Sequence, residues 1–108
     1  MSLHRDQDPK IKEALAILKR ELNATRVFLF GSRSLGTHKK NSDYDFVVVT
    51  SDERCPRDER IRKVKSILRS SDINADIFVY TEKLFAEWEN EFSSIPETAK
   101  NTGIEFSL

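Results

Sequence analysis

The sequence predicts an α/β domain of the α+β kind, with short apolar strands interspersed among amphipathic helices. Three observations carry this. Apolar runs of strand length recur at 27–30, 46–49 and 73–80, bounded by polar or turn residues. Helical spacing of apolar residues occupies the stretches around them. The 108 residues suit a single domain, spanning 1–108, with one core.

The elements follow in order. Asp8 followed by Pro9 reads as a helix start, with an N-cap carboxylate and a proline in the first turn. Ile11, Leu15, Leu18 and Leu22 then recur on one face, and Asn23 ends the helix. Arg26 to Phe30 is the first strand. Ser32 to Gly36 is a short helix or helical turn, and Thr37 to Ser42 a polar loop. Tyr44 to Thr50 is the second strand; its run from Phe46 to Val49 is too continuous for an exposed face. After a charged loop, Arg57 to Arg69 places Ile61, Val64, Ile67 and Leu68 on a helix. Arg57, Arg60, Arg62, Lys63, Lys65 and Arg69 make that helix basic. They form a solvated face or, on a sharper reading, a face for a partner or an acidic substrate. Ile73 to Tyr80 is the third strand. Thr81 caps a helix carrying Leu84, Phe85, Trp88 and Phe92, aromatics suited to the core or to an interface. Pro96 opens a last short helix that Gly103 ends, and Ile104, Phe106 and Leu108 alternate as an edge strand.

Chemistry concentrates at two points. In Phe28-Leu29-Phe30-Gly31-Ser32-Arg33 an apolar run breaks at a Gly-Ser pair. Gly31 lets the backbone approach a ligand closely. A helix start beyond it offers free N–H groups to a phosphate, Ser32 a hydroxyl and Arg33 a charged fork. A plain glycine turn capped by Ser32 is the alternative. Ten residues after the pair come Asp43-Tyr44-Asp45. On a strand, residues two apart share a face, about 6.5–7 Å from each other. Like charges at that distance repel by about 2–3 kcal/mol at an effective dielectric near 20. A hard divalent cation removes the conflict, because Mg²⁺ takes oxygen ligands from carboxylates and phosphates. Asp76 is a third acid, set inside an apolar run where acids are disfavoured. It either faces water from an edge strand or, if its strand adjoins the second, completes a three-carboxylate cluster. His38, Lys39 and Lys40 lie between the two points, in a solvated loop or within reach of a triphosphate.

Composition narrows the classes. Eighteen basic residues balance eighteen acidic ones, so the total charge gives no strong nucleic-acid signal. No apolar run approaches the roughly 20 residues of a membrane span, so no membrane association is expected. The first residues lack the apolar core of a signal peptide. Cys55 is the only cysteine, which makes an internal disulfide impossible and a cytoplasmic location the expectation. Neither histidine, His4 nor His38, has metal-ligand spacing.

Taken together, Gly31-Ser32, Asp43-Tyr44-Asp45 and Asp76 resemble the nucleotidyltransferase superfamily, and most closely the minimal nucleotidyltransferases, or MNT domains. The likeness runs from the first helix to Gly103-Ile104. It implies a small mixed sheet flanked by helices. It implies ATP as substrate, with Gly31, Ser32 and Arg33 on the triphosphate and two Mg²⁺ ions held by the catalytic residues Asp43, Asp45 and Asp76. Leu35 stands where such proteins often carry a second arginine. The resemblance further implies a HEPN-domain partner. In the best understood pairs that partner is a toxin, and the MNT protein is the antitoxin that adenylylates it. Two other readings are a catalytically inactive module that inhibits its partner sterically, and the catalytic domain of a small-molecule nucleotidyltransferase. Base preference and oligomeric state, a homo-oligomer included, stay open.

Overall fold

The computed structural model describes residues 8–30 and 44–108. Helix α1 (Pro9–Leu22) leads into strand β1 (Ala24–Phe30). Strand β2 (Tyr44–Thr50), helix α2 (Asp58–Ser70) and strand β3 (Ala75–Thr81) follow. Helices α3 (Glu82–Trp88) and α4 (Ile95–Thr102) precede a short strand β4 (Ile104–Ser107). The four strands form one sheet in the order β3-β2-β1-β4. β1 is antiparallel to both β2 and β4, whereas β2 and β3 are parallel. The sheet is therefore mixed, as the resemblance implies. Parallel neighbours need a long crossover, and α2 supplies it.

Alternation along the strands divides the core in two. Val27, Leu29, Phe46, Val48 and Ile77 point to one face, where they pack with Ile11, Leu18 and Leu22 of α1 and Val64 and Leu68 of α2. Phe28, Val47 and Val49 point to the other, against Phe85 of α3 and Ala99 of α4. The uninterrupted apolar run of β2 follows from this, because both of its faces are covered. The Phe28 and Phe85 rings stack with centroids 5.2 Å apart, and the Arg26 guanidinium lies 5.1 Å from each. No helix among the described residues is long and apolar enough to cross a membrane.

The caps are local and legible. Asp8 accepts from the Lys10 backbone N–H at 2.9 Å, and Asn23 closes α1 in the left-handed conformation. Thr81 and Ser94 cap α3 and α4 through the Leu84 and Glu97 amides. The end of α2 differs from expectation. Asp72 adopts a left-handed φ of 62° without a glycine. Its N–H donates to the Arg69 carbonyl, and the Ile73 N–H to that of Leu68. These paired bonds form a Schellman closure with Ile73 buried beneath it. Ile73 thus belongs to the helix stop, and β3 begins two residues later than its apolar run suggests. α3 likewise ends at Trp88, which leaves Phe92 beyond the helix and 90% exposed.

Gly103 is required by close approach, its φ of −92° being open to any residue. A Cβ there meets the Ala99 carbonyl oxygen at 2.6 Å and that of Leu29 at 2.9 Å, both backbone atoms. Gly103→Ala is expected to destabilise the protein by about 1–3 kcal/mol, by forcing β4 away from α4 and β1. Urea unfolding checks this; unchanged stability would show that the β4 approach is not tight.

Candidate active site at the β2 and β3 entrances

Tyr44 sets the start of β2. Its side chain is buried, stacks on Phe46 at 5.9 Å, and donates its hydroxyl to Asp8 Oδ2 at 2.9 Å. Its N–H donates to the Asn74 carbonyl just ahead of β3. One carboxylate, Asp8, therefore caps α1 and pins the first residue of β2. With Tyr44 held on the α1–α2 face, strand alternation turns Asp45 toward the other.

Asp45 pairs in register with Asp76 across the parallel β2–β3 ladder, and with Phe30 on β1. Adjacent strands lie about 4.8 Å apart, and in-register residues of a parallel pair share a face. Asp45 and Asp76 are accordingly neighbours on one side of the sheet, at the end where β1 finishes and β2 begins. Asp45 is half-buried, and the Asp76 side chain is 51% exposed. At about 5 Å, two such charges repel by about 3 kcal/mol at an effective dielectric near 20. Lys65 of α2 meets part of that load: its Nζ stands 3.5 Å from Asp76 Oδ1. Lys65 and Arg69 also line a hollow of about 110 Å³ with Asn74 and Asp76. Tyr80, further along β3, has its phenol pushed above the usual range by burial, with a lesser contribution from Cys55. It stays protonated at neutral pH and adds no charge.

Asp76 is both a member of the pair and an edge-strand acid, since β3 borders the sheet. Gly31, Ser32, Arg33 and Asp43 lie outside the described residues, as do the expected Ser32–Gly36 turn and the loop after it. Among the described residues no three His, Cys, Asp or Glu side chains are placed to hold a metal ion, so the expected cluster depends on Asp43. The chemistry of the pair itself fits a hard cation: two acceptor-only carboxylates share one face, and an ammonium already sits against one. Sequence reasoning missed Lys65 and Arg69 as neighbours of Asp76. Their signal was the basic stretch of α2, but nothing in its spacing told which flank met β3.

Because the Tyr44–Asp8 bond orients the strand bearing Asp45, Tyr44→Phe is expected to lower stability by about 0.5–1.5 kcal/mol. Asp8→Ala should lose the cap as well, about 1 kcal/mol more. Thermal denaturation of both variants tests this. Equal losses would mean that the Tyr44 hydroxyl carries all of the effect.

The Nucleotidyltransferase domain family matches residues 11–102. No curated protein matches the sequence. Several solved chains match, and two of them illustrate the shared fold. One, described as the crystal structure of a toxin-antitoxin with AMP-PNP, superposes with a TM-score of 0.69 at 19% identity, over 94% of this chain and 75% of that one. The other is the MntA-HpeT toxin-antitoxin in a mutant with two aspartates changed to glutamate. It gives a TM-score of 0.65 at 15% identity, over 90% of this chain and 72% of that one. The family match spans most of the chain, including strands β1 to β3 and both paired aspartates, and the chain belongs to the nucleotidyltransferase domain family.

Proposed function

We propose that this chain transfers a nucleoside monophosphate, AMP from ATP, to a hydroxyl of a partner toxin, and so acts as its antitoxin. The observation that carries the reading is the in-register pairing of Asp45 with Asp76 on one face, within a nucleotidyltransferase domain. The fold-sharing structures support the partner and the nucleotide, since both are toxin-antitoxin complexes and one was solved with AMP-PNP. A HEPN-domain toxin is the partner that the MNT resemblance implies.

On this reading Asp43, Asp45 and Asp76 hold two divalent cations. When bound, these supply positive charge to the attacking and leaving oxygens. Gly31, Ser32 and Arg33 bind the β- and γ-phosphates. Asp76, at the open edge of the sheet, faces the acceptor and takes the hydroxyl proton as the oxygen forms its bond to the α-phosphorus. The bond from that phosphorus to pyrophosphate breaks in the same displacement. Most of the acceleration comes from positioning and charge, as in phosphoryl transfer generally. Exposed Leu84, Trp88 and Phe92 offer apolar surface for the partner.

Label transfer from α-phosphate-labelled ATP to the co-purified partner tests the reading. Asp45→Asn and Asp76→Asn are each expected to reduce labelling at least 100-fold while the protein stays folded. Full labelling by either variant would overturn the assignment. Sustained neutralisation of the toxin by both, without labelling, would favour the steric alternative. The ion pair at Asp76 yields a separate expectation. Lys65→Met removes the ammonium that competes for this carboxylate, so divalent-cation affinity should rise a few-fold, in keeping with an exposed pair worth up to about 1 kcal/mol. Calorimetric titration with Mn²⁺ reads it directly, and a weaker affinity would mean that Lys65 supports the metal site.

A further inference from the structure

A cleft lies at the other end of the sheet from the paired aspartates. It measures about 610 Å³ and lies where α1 ends, β2 leaves the sheet and α2 begins. Ala24 pairs with Thr50 at that end and Phe30 with Asp45 at the other, so a strand length of about 20 Å separates the two places.

Four cations line the cleft: Arg54, Arg57, Arg60 and Lys63. Arg57 is the N-cap of α2, and Arg60 and Lys63, three residues apart, share one flank of the helix. Arg60 donates to the Glu21 carbonyl oxygen at 3.2 Å and is thereby anchored. Among the described residues Arg54, Arg57 and Lys63 have no carboxylate within ion-pair distance. Three acids share the lining, and Glu21 is held below its usual carboxylate range chiefly by Arg20 and also by the nearby charges of Lys63 and Arg60. Glu21 accepts from Arg20 Nε at 2.9 Å, and Asp52 accepts from Asn23 Nδ2 at 2.9 Å. Glu59 is the third. Four cations face three acids in this lining, so the cleft keeps a net positive charge.

We propose that this cleft binds an anion, and that the anion is an oligophosphate chain. Guanidinium forks match phosphate oxygens two at a time. Cations spread over a cleft of this size call for several linked anionic groups rather than one. The volume falls within the range of small-molecule sites. Leu22 and Pro56 add apolar wall to a lining that also carries the four cations. The site does not depend on the carboxylate pair and does not require nucleotidyl transfer.

Titration of the ¹⁵N-labelled protein with inorganic tripolyphosphate tests the proposal residue by residue. Saturable shifts are expected in the amides of residues 54–63. They should survive Asp45→Asn and weaken at least fivefold in an R57Q/K63Q variant whose thermal melt is unchanged. An alternative variant, R54Q, which lies in the loop outside any helix, should weaken binding at least twofold. The proposal is overturned if residues 54–63 do not shift, if sodium chloride at matched ionic strength shifts them equally, or if both variants bind as the parent does.

Discussion

The parallel register between β2 and β3 is the constraint on which the rest depends. It places Asp45 beside Asp76, two carboxylates that folding alone has reason to keep apart. The ladder that makes them neighbours is held from several directions. Phe46 to Val49 are buried on both faces, and the Schellman turn at Asp72 aims the chain into β3. The Tyr44 hydroxyl, bonded to Asp8, prevents a one-residue slip that would turn Asp45 to the wrong face. The pairing of Asp45 with Asp76 is therefore a consequence of core packing, because hydrophobic burial fixes the register.

Lys65 brings a positive charge to Asp76. An ammonium at 3.5 Å offsets part of the repulsion, yet the pair is exposed and weak enough to exchange for another cation. That property suits a binding site better than a structural bridge. The same helix carries cations on a second flank, facing the far cleft. One amphipathic element thus serves the core with Val64 and Leu68, the aspartates with Lys65, and a separate charged surface with Arg57, Arg60 and Lys63.

Much of this was readable in the chain, for physical reasons. Pro9, Thr81 and Pro96 mark helix starts because caps and proline act locally. The apolar run of β2 signalled a strand covered on both faces. The pairing of Asp45 with Asp76 was conditional, because no periodicity tells which strands adjoin; family resemblance made it an expectation, and the sheet order met it. Ile73 belongs to the end of α2 although its apolar run points to β3, since an apolar residue closing a helix looks like one opening a strand when no glycine stands at the turn. Helix α3 is shorter than its aromatic spacing suggests for the same kind of reason: Phe92 keeps the spacing but lies past the last helical turn. The flanks of α2 were hidden, because a solvated basic face and a functional one have the same composition.

The central claim is that Asp45 and Asp76 act as one cation-binding pair. Paramagnetic broadening of amide resonances by substoichiometric Mn²⁺ tests it most directly. Joint broadening at Asp45 and Asp76, before any other acidic residue among the described elements, is the result expected. Broadening that spares both, or that appears first at Asp52, Glu59 or another surface acid, would contradict it.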